Sequence, residues 1–152
     1  MKIKYIIDEI FQDYKKPSML IATYKCSFKC ENCQNRHLSD EATTIDYPIE
    51  KIIDRYVNNS ISESIVIGGL EPLEQQEDIL ELVREFRKKT LDDIVIYTGF
   101  DKNEVEDFIN ELKKSHNIRV KFGRYIDDSE ERFDEILGVT LASSNQYAEI
   151  IS

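Results

Sequence analysis

The feature that most constrains the fold is a repeated alternation of short apolar runs with amphipathic segments. Four runs are predicted to be strands, at 18–23, 64–67, 94–97 and 118–122. Helices are predicted between them, over 46–59, 74–89 and 101–115. Strands that alternate with helices of this length run parallel and are joined by right-handed crossovers. The sequence therefore predicts an α/β fold with a mainly parallel sheet.

The edges of this pattern are less regular. The first eleven residues alternate polar and apolar and predict a further strand, and residues 147–151 predict a final one within an otherwise irregular last thirty residues. The run at 118–122 also alternates, which is typical of a half-exposed or edge strand. Asp46 is the predicted N-cap of the first helix.

Length and charge narrow the function classes. A chain of 152 residues favours one domain spanning 1–152. Its net charge of −10 disfavours binding to nucleic acid and to anionic membranes. Because no apolar run approaches the roughly 18–20 residues of a membrane span, and no signal peptide opens the chain, a cytoplasmic location is expected.

The glycines gather at the predicted strand exits. Gly68 and Gly69 follow the second strand, Gly99 the third and Gly123 the fourth, while all three cysteines follow the first. A lone glycine at a strand end is a simple turn residue about as often as it is part of a ligand site. Ligand sites of parallel α/β folds lie beyond the carboxyl ends of the strands, however. The Gly-Gly pair and the cysteine loop therefore predict one shared site at this edge.

Three cysteines lie within eight residues, and the chain has no others: Cys26, Cys30 and Cys33. Thiolates select zinc, copper(I) or iron–sulfur clusters. In one interpretation His37 completes a tetrahedral Cys3His zinc site. In the other, the thiolates hold three irons of a 4Fe–4S cluster and leave the fourth open. We favour the open cluster, because a domain of this size does not need zinc to fold.

This C-x3-C-x2-C spacing after the first strand resembles the signature of the radical S-adenosylmethionine (SAM) superfamily. The continuation Cys33-Gln34-Asn35 is similar to the Cys-x-Asn of its glycyl-radical activase branch. Within that branch the chain resembles the activating proteins of anaerobic (class III) ribonucleotide reductase. Three further segments carry this resemblance: Gly68–Leu73, Tyr97–Phe100 and Ser143–Gln146. The chain departs from the pattern at three positions, Asn32, the additional Leu70 and Phe122.

The resemblance implies an incomplete β/α barrel of the radical SAM type and two cofactors, a 4Fe–4S cluster and SAM. It implies that Cys26, Cys30 and Cys33 ligate the cluster and that SAM binds the open iron. The candidate SAM contacts are Asn32, through its backbone to the adenine, and Gly68 and Gly69 to the methionine moiety. Glu71 is a candidate for its ammonium group, and Thr98 for the ribose or the carboxylate. The Ser143–Gln146 segment is a candidate for contact with SAM or with a partner protein.

The implied activity is that of a radical SAM oxidoreductase. Such an enzyme cleaves SAM reductively and abstracts a hydrogen atom, which installs a glycyl radical on the large subunit of anaerobic ribonucleoside-triphosphate reductase. The electron comes from a one-electron donor such as flavodoxin, and no side-chain acid or base is required. The alternatives are the same chemistry on another glycyl-radical protein or on a small molecule, and a non-catalytic metal-binding module.

Overall fold

In the computed structural model, residues 1–39 and 43–152 are described. The strands are β1 (Lys2–Ile10), β2 (Ser18–Thr23), β3 (Ile45–Asp46), β4 (Ser64–Gly68), β5 (Asp93–Tyr97), β6 (Ile118–Phe122), β7 (Arg132–Asp134), β8 (Val139–Leu141) and β9 (Tyr147–Ile150). The helices are α1 (Ile49–Val57), α2 (Gln76–Arg87) and α3 (Glu106–Leu112), with short 3-10 turns at Arg36–Leu38, Pro72–Gln75 and Lys102–Glu104. Over these two ranges no helix combines the length and apolar character that crossing a bilayer demands.

Seven strands form one sheet in the order β3-β1-β2-β4-β5-β6-β9. The four central strands β2, β4, β5 and β6 are parallel. The strands β1, β3 and β9 pair antiparallel at the flanks, and β7 and β8 form a separate hairpin. The prediction of an α/β fold with a mainly parallel central sheet is confirmed.

Both faces of the central strands are buried, which explains the continuous apolar sequences of β2, β4 and β5. On one face, alternate side chains such as Ile21, Ile67 and Ile96 pack against the helices in the main core. On the opposite face, Val66 and Val95 belong to a smaller apolar cluster. That cluster is completed by residues from outside the central strands: Ile10, Tyr14, Leu137, Leu141 and Ala148.

Three expectations about the edges of the pattern are wrong. Asp46 does not cap α1: it lies in β3, where it pairs with Lys2, and the helix begins after Pro48. β6 is not an edge strand, because β9 pairs with it along Arg119–Phe122. The polar side chains of β6 alternate with apolar ones because they face the smaller apolar cluster, on the side opposite the helices, and not because they face solvent. The last thirty residues are also more regular than expected, since they contain β7, β8 and β9.

A buried carboxylate ties the amino end of the sheet together. Asp93, at the start of β5, is 5 % exposed. It accepts hydrogen bonds from the Tyr14 hydroxyl at 2.9 Å and the Arg119 guanidinium at 2.5 Å, and Lys16 Nζ lies 2.6 Å away. Burial alone would raise the pKa of Asp93, but Lys16, Tyr14 and Arg119 together hold it below its usual value.

We expect Asp93→Asn to lower the free energy of unfolding at pH 7 by about 3 kcal/mol, because it breaks a buried ion pair. A carboxylate with a lowered pKa in the folded state stabilises the protein above its unfolded pKa, and this stabilisation is lost as the pH falls through the folded value. The variant should therefore lose less stability than the wild type below about pH 4. Urea unfolding from pH 7 downwards measures both effects.

The matched control is Asp8→Asn, because Asp8 pairs with Arg55 at 2.6 Å with both side chains more than a third exposed. We expect a loss below about 1 kcal/mol there, as for other solvated ion pairs. Equal losses in the two variants would contradict the assigned role of Asp93.

Candidate metal centre

The three cysteines lie on the loop that leaves β2 at the carboxyl edge of the parallel strands. All three are free thiols and partly exposed. The loop contacts the exit of β4, where the Glu71 backbone N–H donates to the Lys25 carbonyl at 2.8 Å. The structure thus brings the cysteine loop and the Gly68–Gly69 turn to the same edge of the sheet.

Three side-chain hydrogen bonds hold this loop without using a thiol. Asn35 Nδ2 donates to the Gly69 carbonyl at 2.7 Å, and the Arg36 guanidinium donates to the Cys30 carbonyl at 3.0 Å. The Ser27 backbone N–H donates to Glu74 Oε1 at 2.7 Å. The thiols take no part in these three hydrogen bonds, and the Cys26 thiol donates weakly to the Phe28 carbonyl at 3.9 Å. Asn35 was part of the Cys-x-Asn resemblance, but no contact was predicted for it.

An aromatic contact anchors the centre of the loop, and no sequence motif indicated it. The Phe28 ring packs edge-on against Phe100, with 4.8 Å between ring centroids, and the Arg124 guanidinium lies 4.2 Å from the Phe28 ring centroid. A Cβ added at Gly99 would lie 2.7 and 2.9 Å from atoms of the Phe28 ring. Gly99 is therefore needed for the cysteine loop to reach the exits of β5 and β6.

We expect Gly99→Ala to displace Phe28 and to lower the cluster content of the protein while the sheet still folds, because the clash lies outside the main core. Iron content and the melting temperature, measured together, separate these two effects. The matched control is the Phe28→Ala background, in which Gly99→Ala no longer meets a ring. If Gly99→Ala lowers iron content equally in both backgrounds, the Phe28 contact is not the cause.

The candidate SAM contact Glu71 is buried, with 3 % of its surface exposed. Its Oε1 accepts from the Leu73 backbone N–H at 3.0 Å and from the Thr98 hydroxyl at 2.7 Å, and its Oε2 accepts from the Gly99 backbone N–H at 2.7 Å. Burial raises the pKa of Glu71, and these three hydrogen bonds oppose the rise. Glu71 and Thr98 thus link the exits of β4 and β5. Among residues 1–39 and 43–152, Oε2 accepts from Gly99 alone, which leaves it a second acceptor position.

The other candidate contacts also make contacts within the protein. Gly69 has φ +86°, and its Cβ would lie 3.0 Å from the Ala22 Cβ, so glycine is required there by the chain itself. A Cβ at Gly68 would lie 3.2 Å from the Tyr97 Cβ. Asn32 has φ +53°, and its side chain donates to Asp127 at 2.7 Å, which links the cysteine loop to the loop after β6.

The Ser143–Gln146 segment braces the loop that follows β6. Asn145 Nδ2 donates to the Arg124 carbonyl at 2.9 Å, and Gln146 Nε2 donates to the Gly123 carbonyl at 3.3 Å. The segment also borders a cavity of about 450 Å³ beside the cysteine loop. The lining residues are Phe28, Lys29, Cys30, Asp101, Arg124, Tyr125, Ile126 and Asn145.

The surroundings of the Cys26 thiol disfavour its ionisation without a bound cation. Burial raises the pKa of Cys26 to about 11; a backbone hydrogen bond at Phe28 opposes the rise, and the negative charges of Glu71 and of the other two cysteines add to it. Metal groups bind cysteine as thiolate and release its proton. Cys26 is therefore expected to lose its proton only when it binds a metal group.

The zinc alternative would require four side chains around one ion. In 1–39 and 43–152 no three side chains of His, Cys, Asp or Glu converge on a single-ion site. His37 is exposed, and its Nδ1 lies 3.1 Å from the Gln34 carbonyl. In a 4Fe–4S cluster, by contrast, each thiolate ligates a different iron, so the cysteines need not converge on one point.

Comparison with known proteins indicates which cofactor this domain binds. A protein-family model described as a 4Fe-4S single cluster domain matches residues 18–147, which is most of the chain. The match begins at β2 and includes the cysteine loop, the Gly68–Gly69 turn and the Ser143–Gln146 segment. Comparison with curated proteins gave no match. The chain belongs to the 4Fe-4S single cluster domain family.

Proposed function

We propose that this protein is a radical SAM enzyme that activates a glycyl-radical enzyme, the large subunit of anaerobic ribonucleoside-triphosphate reductase. The observation that carries the proposal is the C-x3-C-x2-C loop at the exit of the first parallel strand in a 4Fe-4S domain with no fourth cysteine. Three thiolates ligate three irons, so one iron is left for a ligand that is not part of the chain.

The sheet supports this proposal. Four parallel strands with helices over one face correspond to part of a β/α barrel, and the cysteine loop lies at the carboxyl ends of the strands, where barrel sites are found. We infer an incomplete barrel of the radical SAM type. An incomplete barrel leaves lateral access for the backbone loop of a partner protein.

The residues at this edge fit both cofactors. Cys26, Cys30 and Cys33 supply three soft ligands for the cluster. The cavity beside Cys30 combines aromatic and charged side chains, which suits a nucleoside with a zwitterionic tail. Glu71 Oε2 has one acceptor position for the ammonium group of SAM, and Gly68 and Gly69 border the same edge.

Thr98 acts in this proposal by orienting Glu71, because its hydroxyl already donates to Glu71 Oε1 and accepts from the Phe100 N–H at 3.1 Å. Asn32 acts by holding the cysteine loop to Asp127. When bound, the cluster and SAM supply one-electron cleavage of a carbon–sulfur bond and hydrogen-atom abstraction. The protein orients the cofactors and excludes water.

The test is anaerobic mixing of the protein with the reductase, SAM and a one-electron donor such as reduced flavodoxin. The expected result is the electron paramagnetic resonance signal of a glycyl radical on the reductase. SAM cleavage without that signal would favour a small molecule or another glycyl-radical protein as substrate. Absence of both SAM cleavage and radical, with the cluster intact, would favour a non-catalytic cluster module. An enzyme that activates the reductase must share its compartment, which we expect to be the cytoplasm. Locating the protein by cell fractionation therefore gives a second check.

A further inference from the structure

The buried cation Lys121 lies on the face of the sheet opposite the helices and has no part in the proposed function. Lys121 belongs to β6 and pairs in register with Tyr97 on one side and Ala148 on the other. Its neighbours Val120 and Phe122 point into the helix-side core, so Lys121 faces the opposite layer. Although it is a lysine, it is only 7 % exposed.

The contacts of this ammonium group are few. Nζ donates to the Gly123 carbonyl at 2.9 Å and lies 5.9 Å from the centre of the Tyr97 ring. Within the part of the chain that the structure describes, it has no carboxylate at ion-pair distance. An ammonium that is buried without an ion-pair partner costs free energy, so a group that compensates it is expected nearby.

Two negative groups act on Lys121, and one of them is a cluster ligand. Burial lowers the pKa of Lys121 to about 8, and the Glu71 carboxylate and the Cys30 thiol oppose this effect. Contacts also place the ammonium near the cysteine loop: its acceptor residue Gly123 donates its backbone N–H to the Phe100 carbonyl at 3.1 Å, and the Phe100 ring packs against Phe28 of that loop. Because Lys121 is buried, it approaches this edge of the sheet on the side where water is excluded. Charge interactions are stronger there than at the solvated face of the loop.

A 4Fe–4S cluster with three thiolate ligands is negatively charged, and it gains a further negative charge when it accepts one electron. Net charge and solvent exposure are among the factors that set the potential of such clusters. We propose that Lys121 is the buried counter-charge of the cluster, and that it raises the reduction potential by stabilising the reduced form. This inference rests on the cluster of the domain family and does not require SAM to bind.

The test is a redox titration of the anaerobically prepared protein without SAM, comparing Lys121→Met with the wild type. We expect the ratio of reduced to oxidised cluster at a fixed potential to fall at least tenfold, which corresponds to a shift of about 59 mV for one electron. The matched control is Lys29→Met, which removes an exposed ammonium next to Cys30. Because water screens that charge, its potential should shift by less than half as much.

A purely structural role predicts a different pattern, in which Lys121 only compensates Glu71. Lys121→Met would then lower the melting temperature and leave the potential unchanged, and adding Glu71→Gln would restore the melting temperature. That result would overturn the proposal. If Lys121→Met does not retain a cluster, Lys121→Arg decides the matter. Retention of the cluster in Lys121→Arg supports the counter-charge, whereas its loss from both variants indicates packing and overturns it.

Discussion

Replacing any one of Cys26, Cys30 or Cys33 with alanine is expected to remove the iron–sulfur cluster, whereas replacing His37 is expected to leave it in place. The chain has no fourth cysteine that could substitute for a lost ligand. When only two thiolates remain, two of the four irons have no protein ligand instead of one. Wild-type protein prepared without air should be brown and contain about four irons per chain, and each alanine variant should be close to colourless.

The His37→Ala variant is the control for the zinc alternative. His37 is exposed and bonds with its own loop, so its loss should not change iron content. If His37→Ala lost the metal together with the cysteine variants, and the wild-type metal were one zinc per chain, the Cys3His interpretation would be correct and the cluster account wrong.

The second large effect is expected from Glu71→Ala. This substitution leaves the backbone N–H groups of Leu73 and Gly99 and the hydroxyl of Thr98 without their acceptor. Each unsatisfied buried group costs about 1–3 kcal/mol. We therefore expect the free energy of unfolding to fall by about 3 kcal/mol or more. We also expect the protein to retain less iron, because the β4 exit, whose Glu71 backbone N–H binds the Lys25 carbonyl, is no longer tied to the β5 exit.

Glu74→Ala is the matched control, three residues further along the same segment. Glu74 also accepts a backbone N–H, that of Ser27, but this hydrogen bond is exposed. Water can replace it, so we expect a loss of at most about 1 kcal/mol. Chemical denaturation of both variants without cofactors gives the comparison. Similar losses would show that Glu71 does not connect the strand exits, and its role would then be sought in ligand binding alone.

The central strands could be predicted from sequence because burial on both faces leaves uninterrupted apolar runs, as in β2 and β4. The cysteine loop and the Gly68–Gly69 turn could be placed at one edge because parallel topology puts all strand exits together. The chemistry of the loop followed from residue type and spacing, which are local properties. These parts of the fold and of the centre depend on short segments or on a general rule of chain connection.

The parts that could not be predicted depend on long-range contacts. Lys121 alternates with apolar residues, and the same pattern describes an exposed strand and a strand whose polar side is covered by distant residues. Phe28 belongs to no motif, yet its packing against Phe100 explains Gly99. β3 is only two residues long, too short for a periodic signal, so Asp46 resembled a helix cap. In each case the deciding neighbour is distant in sequence.

The proposed function requires three thiolates that hold a cluster with one iron available to SAM. The most direct measurement is electron paramagnetic resonance of the anaerobically reduced protein, recorded before and after addition of SAM and combined with iron analysis. We expect about four irons per chain and a cluster spectrum that changes when SAM is added. A full iron complement with a spectrum that SAM leaves unaltered would contradict the proposed function.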